Sequence, residues 1–507
     1  MASTLPATEP RRARLSARQG AALAVLVLPV LLISIDMTVL GFAVPFLSED
    51  LAPTSSQLLW IVDVYGFVLA GLLVTMGSVA DRIGRRKLLV FGSAAFAAAS
   101  VVAAYAPTAE TLIAARALLG VAGATLMPTT LALMRNLFTD PRQRLFAIAI
   151  WGAGFSAGSA AGPVIGGWLL EHFWWGSVFL MAVPVSIAVL VAAPMLLPES
   201  KNDRPGSLDW PGVGLSFLAM FPFVYAIKSV AEHGFSLAAA AALVFGVLAG
   251  WGFLKRQLTA RHPLIDVRLF RIRRFSASIF TNFMIVFAMI SALFLLTQYL
   301  QLVLDYSPMR AGLLLLPGMA VSVAAGLVAV RLAARFGLVT IIVGGLGFIV
   351  AGFGAMYLIG VHEGAFVVAG AFALIGIGSG MVQTVTNDAV VTAAPADRAG
   401  AAAAISETAY ELGGAMGVAV LGSLATGIYR SELGEAPAGA SETLGGAVHV
   451  AGTLPGEAGA ALLEAAKTAF TDGLRVTSLL AAGLVLVAAV AVGRALRTRR
   501  SEAVAGS

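Results

Sequence analysis

The chain has 507 residues, 59% of them hydrophobic and only 12% charged, with a mean hydropathy of +0.90; a soluble domain has about 25% charge, so the bilayer is the expected solvent. Its net charge of +6 would suit nucleic acid only if the basic residues shared a soluble face, and they fall instead in short runs between apolar stretches. Cysteine is absent, which excludes disulfides, thiolate metal sites and cysteine catalysis.

A crossing of the hydrocarbon needs roughly 20 mostly apolar residues. In chain order such stretches fall at 21–47, 57–80, 88–106, 110–134, 146–170, 175–197, 210–229, 235–254, 275–303, 311–331, 338–358, 365–391, 400–427 and 473–493, fourteen in all. The first follows Arg11, Arg12, Arg14 and Arg18 as a secretory signal would. It is too long for one, carries Asp36 in its middle and lacks a small-residue cleavage site, so it reads as span one. With the N-terminus in the cytoplasm, 27 of the 33 Lys and Arg residues fall in cytoplasmic segments. Lys228, at the outer edge of the stretch 210–229, is counted as outside with Arg310, Arg430 and Lys467, while Arg116 and Arg475 lie within spans. Both termini are therefore expected in the cytoplasm of a multi-pass inner-membrane protein. The Gly/Ala/Glu-rich stretch 428–470 is expected to be a solvated outer loop, with a surface helix at 456–470 as the alternative.

An internal repeat organises these spans. Arg82 and Gly84 recur as Arg335 and Gly337 at an offset of 253, which also relates spans one and nine and carries Gly158–Gly167 of span five onto Glu411–Val420 of span thirteen. The expected parse is an N-tail (1–20), a six-span half (21–200), two inserted spans (201–260), a second six-span half (261–494) and a C-tail (495–507). The predicted fold class is therefore all-α, with fourteen transmembrane helices in two pseudo-symmetric six-helix bundles plus two inserted helices.

Ionisable residues inside the spans carry the chemistry. Asp36 lies in span one, Asp63 in span two, Asp388 toward the inner end of span twelve, and Glu407 and Glu411 one turn apart in span thirteen. Arg116 is the one clear base among them. A charge at bilayer depth costs at least about 2.5–3.5 kcal/mol unless it is paired or hydrated. One Arg neutralises one acid, so the others must be protonated, wetted or holding a cation. For Asp36 the plainer reading is a structural partner of Arg116. Trp60 and Phe67 share the helical face of Asp63, a combination suited to a lipophilic cation through charge and cation–π contact. Tyr410 beside Glu411 offers a similar contact. Asp388, nearer the cytoplasm, reads equally as a functional acid or as a helix cap or partner of Arg398.

Between spans two and three stands Gly77-Ser78-Val79-Ala80-Asp81-Arg82-Ile83-Gly84-Arg85-Arg86-Lys87. Gly77 and Gly84 permit close approach and a tight turn, and Asp81 is placed to meet a helix N-terminus or a nearby Arg. Positive-inside anchoring explains the basic residues here, but neither the Asp nor the glycine spacing. In span five Gly154, Gly158, Gly162 and Gly166 form a stripe for close helix packing, with Pro163 kinking the helix. The Gly77–Lys87 loop closely resembles the signature loop of the major facilitator superfamily. Ala115–Ala124 resembles its span-four motif, and Gly158–Gly167, including Gly162, Pro163, Gly166 and Gly167, resembles the span-five motif of its antiporters. Fourteen spans, with Ser34–Leu40 in span one, look like the drug:proton antiporter branch, most similar to quaternary-ammonium efflux pumps of the QacA and SmvA type.

The resemblance implies Asp36, Asp63, Glu407 and Glu411 as coupling and substrate sites and Arg116 as part of the proton path. It makes Gly77, Asp81, Arg82, Gly84 and Arg85 a conformational motif and assigns the span-five packing to a gating interface. Span ten has no acid, unlike some related pumps, so dicationic substrates are not implied. Gly376-Ile377-Gly378-Ser379-Gly380 lies inside span twelve with no strand before it, and reads as helix packing rather than a dinucleotide loop. There is no G-x-x-x-x-G-K-[ST], metal spacing or nucleophile–base pattern. The expected protein is not an enzyme but a monomeric exporter of lipophilic cations. It would be driven by the proton gradient, with no cofactor or nucleic-acid partner and with lipids around it. The alternative is an exporter of an endogenous metabolite or antibiotic on the same fold.

Overall fold

The computed structural model describes residues 16–201, 209–260, 263–361, 364–393, 399–434, 436–437 and 439–505. Arg11, Arg12 and Arg14 of the N-tail lie outside them, as does Arg398, the expected partner of Asp388. Fourteen helices are long and apolar enough to cross a membrane, and no strand occurs among the described residues. They are α1 (Ala17–Leu51), α2 (Ser55–Ile83), α3 (Arg85–Ala104), α4 (Ala109–Leu137), α5 (Pro141–His172), α6 (Ser177–Leu196), α7 (Trp210–His233) and α8 (Leu237–Thr259). The second half has α9 (Arg273–Gln298, extended by a π turn at Tyr299–Val303), α10 (Pro308–Phe336), α11 (Leu338–Met356) and α12 (Ala365–Ala393). It continues with α13 (Ala399–Gly417, running through a π turn at Val418–Gly422 into Ser423–Leu433) and ends with α14 (Gly456–Ala505). Local sequence sets the starts: Ser16 with Gln19 and Thr54 with Gln57 form capping boxes that satisfy the first free N–H groups of α1 and α2.

Helices α1 to α6 pack mainly among themselves, as do α9 to α14, while α7 and α8 pair with each other. The halves meet where α1 touches α9, α2 touches α13 and α5 touches α10. The repeat reappears as geometry. Gly84 (φ +109°) is the single residue between α2 and α3, and Gly337 (φ +85°) the single residue between α10 and α11, both in a region that favours glycine. Asp81 takes the nearby-Arg option, with one carboxylate oxygen 2.7 Å from Arg85 Nη2. The N-terminus of α3 is capped instead by Glu199, whose two carboxylate oxygens accept from the backbone N–H of Arg86 and Lys87 at 3.1 Å each.

The glycine stripe of α5 faces α1. A Cβ on Gly158 would collide with Ser34 and stand 2.7 Å from the Leu31 carbonyl oxygen, and one on Gly162 or Gly166 would strike Thr38 or Val39. The opposite face lies on α10, where a Cβ on Gly167 would come within 2.6 Å of Met309 Cα. Span five is thus wedged between the halves. In α12, Cβ atoms on Gly376, Gly378 and Gly380 would strike the carbonyl oxygens of Gly318, Gly345 and Ser322, which fits helix packing and leaves no space for a nucleotide.

The loop expected at 428–470 is largely helix. Residues to Leu433 complete α13, Leu444–Thr453 form a short helix against α1 and α14, and 456–470 is the first part of α14 rather than a surface helix. The Ala-rich segment has high helix propensity and propagates from the span behind it.

Candidate functional site

A cavity of about 50 Å³ lies between the halves. Its lining includes Thr38 of α1, Asp63 and Tyr65 of α2, Arg116 of α4, Leu293 and Phe294 of α9, and Glu411 and Gly414 of α13. That is space for a few waters, against roughly 300–1,000 Å³ for a drug-sized ligand, so the cavity in this conformation is too small to hold such a ligand. Glycines in α13 bring the helices together: a Cβ on Gly413 or Gly417 would press on the carbonyl oxygen of Phe283 or Phe287 in α9.

Arg116 is 1% exposed. Its Nη1 donates to Asp36 Oδ2 at 2.7 Å, its Nε to the Ile61 carbonyl at 3.1 Å and its Nη2 to the Val62 carbonyl at 3.4 Å. Its guanidinium lies 4.6 Å from the Tyr65 ring centroid. The plainer sequence reading of Asp36, a structural partner of Arg116, is the one the geometry fits.

Asp63 corrects the charge count. Arg116 is not the one base at depth: Lys228, placed by sequence in an outer segment, lies in α7 and is 2% exposed. Its Nζ is 3.1 Å from Asp63 Oδ1 and 3.0 Å from Oδ2. The aromatic face of α2 is covered from the same side. Lys228 Nζ lies 3.7 Å from the Trp60 ring centroid, Phe221 stacks on Trp60 at 5.7 Å, and Phe67 meets both rings edge-on at 6.3 and 6.4 Å. Trp60 and Phe67 therefore face the inserted helix rather than the central cavity.

Two acids are thus paired with bases of this chain in this conformation, and Glu411 is not. It is 1% exposed, its Oε2 has no hydrogen-bond partner, and no ion pair reaches it among the described residues. Glu407 lies one turn away on α13, half-buried and without an ion pair among the described residues, and neither it nor Tyr410 lines this cavity. Beside Glu407, the Asn282 amide of α9 donates to Asn387 at 2.9 Å and to Ser406 at 3.0 Å, tying α9, α12 and α13 together. Asp388 is exposed. Its helix position signals nothing more specific. Lys228 was recoverable in principle, since it falls within span seven by hydropathy.

Two related bundles of spans around a small, charged cavity have the plan of a membrane transporter and not of an enzyme. The chain belongs to the major facilitator superfamily, whose family pattern matches residues 26–418. It is 49% identical over 96% of its length to the multidrug efflux pump LfrA of Mycolicibacterium smegmatis, covering 98% of that protein. It is 35% identical over 93% of its length to the methyl viologen resistance protein SmvA of Salmonella typhimurium, covering 97% of it. To the tetracenomycin C resistance and export protein of Streptomyces glaucescens it is 33% identical, over 93% of this chain and 90% of that one. Among solved structures, a bacterial homologue of the lysosomal transporter Spinster shares the fold with a TM-score of 0.63 at 17% identity, over 96% of this chain and 98% of that chain.

Proposed function

We propose that the protein is a proton-coupled efflux antiporter for lipophilic cations in the cytoplasmic membrane. The observation that carries this reading is Glu411, a carboxyl group in the cavity between the halves with no ion-pair partner among the described residues. With Asp36 held by Arg116 and Asp63 by Lys228, the remaining requirement for positive charge falls on Glu411 and its neighbour Glu407. A proton meets it in the empty carrier and a cation in the loaded one, so the two occupants exclude each other. That exclusion is the essence of antiport. The methyl viologen relative supports a cationic cargo and the multidrug relative a broad one.

The chain would work as a monomer, and both termini would lie in the cytoplasm, an orientation that the distribution of Lys and Arg supports. In that orientation the end where α1 meets α2 faces outward. Contacts between the halves gather there: Glu171 accepts from Met309 N–H at 3.2 Å, and Glu442 accepts from Ser55 N–H at 3.1 Å. This conformation would then be closed to the outside. Reorientation would open these contacts while the Gly77–Lys87 turn and the α5 wedge guide the movement. No cofactor is required beyond the proton gradient.

The test is ethidium efflux from proteoliposomes under an imposed pH gradient. Gradient-dependent transport, abolished by Glu411→Gln, is expected; transport indifferent to the gradient would overturn the coupling. The tetracenomycin C relative favours a second reading, export of an antibiotic or self-made metabolite. Under it, cationic dyes are not moved, whereas a neutral polycyclic compound is.

A further inference from the structure

Lys228 belongs to the inserted helix α7, yet its ammonium occupies the place that α2 offers to a cationic guest. It has a ring face at 3.7 Å from Trp60 and a buried carboxylate within 3.1 Å on Asp63. Phe221 and Phe67 complete the aromatic wall. A ring face, a carboxylate and exclusion of water are the contacts by which proteins hold quaternary ammonium and flat aromatic cations. Asp63 also lines the central cavity, so the same carboxylate is presented to a molecule arriving there. One carboxylate cannot balance two cations in a dry site, and a second positive charge would stand uncompensated at bilayer depth.

The ammonium has an exit. Lys228 is five residues from His233, the last residue of α7, a rise of about 7.5 Å, so an ammonium that leaves Asp63 can swing on its flexible stem toward the water interface. Trp60 lies five residues from Ser55, at the same end of the molecule.

We propose, building on the cation-efflux reading, that Lys228 is a tethered competitor for the Asp63–Trp60 site. A lipophilic monocation loads by displacing the ammonium, which withdraws along α7. Return of the ammonium to Asp63 expels the cargo and prevents its rebinding. The inserted pair of helices thereby supplies a built-in release step and sets the affinity for monocations.

The test measures ethidium binding by fluorescence polarisation to the purified full-length protein in detergent at one fixed pH. Lys228→Met should lower the Kd by about tenfold or more, while Lys228→Arg should bind no more tightly than the parent. Asp63→Asn should lose binding with either Lys or Met at 228. If Lys228→Met does not remain monodisperse, Lys228→Gln carries the same expectation, since its amide still hydrogen-bonds Asp63 without the charge. Binding by the Met or Gln variant equal to or weaker than that of the parent overturns the competitor role. If Asp63→Asn still abolishes binding in that case, the cation-efflux reading stands. Absence of ethidium binding in parent and variants alike overturns both.

Discussion

Arg116 Nη1 and Asp36 Oδ2 stand 2.7 Å apart across 80 residues of sequence, with side-chain exposures of 2% and 7%. Because the same guanidinium also holds the Ile61 and Val62 carbonyl groups, one side chain fastens α4 to both α1 and α2. Removing it strands a buried carboxylate and takes away the second hydrogen bond of two helix carbonyl oxygens.

Arg116→Ala is therefore expected to destabilise the protein by about 3–5 kcal/mol, the scale for breaking a buried ion pair from one side. Asp36→Asn keeps a hydrogen-bond acceptor for the guanidinium and should cost less. Thermal unfolding in detergent separates the two. Equal melting temperatures for both variants would mean that the pair does not hold these helices together.

The outer strap offers a second test. Ser55 Oγ bonds to the Glu442 carbonyl oxygen and lies 3.0 Å from its Oε2, joining α2 to the connection that follows α13. Since the chain contains no cysteine, Ser55→Cys with Glu442→Cys creates the only thiol pair. Oxidation should stop proteoliposome transport and reduction should restore it. Full transport by the cross-linked protein would show that these helices do not separate during the cycle.

At Gly380 a Cβ would run into the Ser322 carbonyl oxygen, a backbone atom that cannot rotate aside. Gly380→Ala should cost about 1–3 kcal/mol by overpacking. Gly347, with open space at its Cβ position, should tolerate the same change. Comparable losses at both positions would contradict the close packing of α10 on α12.

Glu199 and Asp81 predict a contrast at the turn between α2 and α3. Glu199→Ala removes a two-point cap and should cost about 1 kcal/mol. Asp81→Asn loses a partly exposed i, i+4 pair, where the stability change should stay within about 0–1 kcal/mol. A larger stability loss for Asp81→Asn would reverse the assignment.

These residues show where sequence reasoning reaches and where it stops. The fourteen spans are legible because hydrocarbon thickness fixes the length of each apolar run. The two turns at Gly84 and Gly337 are legible because a one-residue link at positive φ favours glycine twice at the same offset. Asp36 and Arg116 stand out as opposite charges inside spans. Lys228 does not, because it lies near a span end and counting loop charges assigns it to water. Its partner is 165 residues away, and only the docking of α7 on α2 joins them. The cap by Glu199 fails to show for the same reason, spanning 113 residues. At 456–470 the sequence offers only a surface helix, because Glu457, Glu464 and Lys467 interrupt the apolar run and hide its continuity with the span that follows.

The exchange at Glu411 is tested most directly by proton release from the purified protein in weakly buffered detergent solution, titrated with a lipophilic cation. Saturable, cation-dependent acidification is expected, and Glu411→Gln should remove it while cation binding can still be followed independently. Cation binding with no proton release, or release undiminished in Glu411→Gln, would contradict the account.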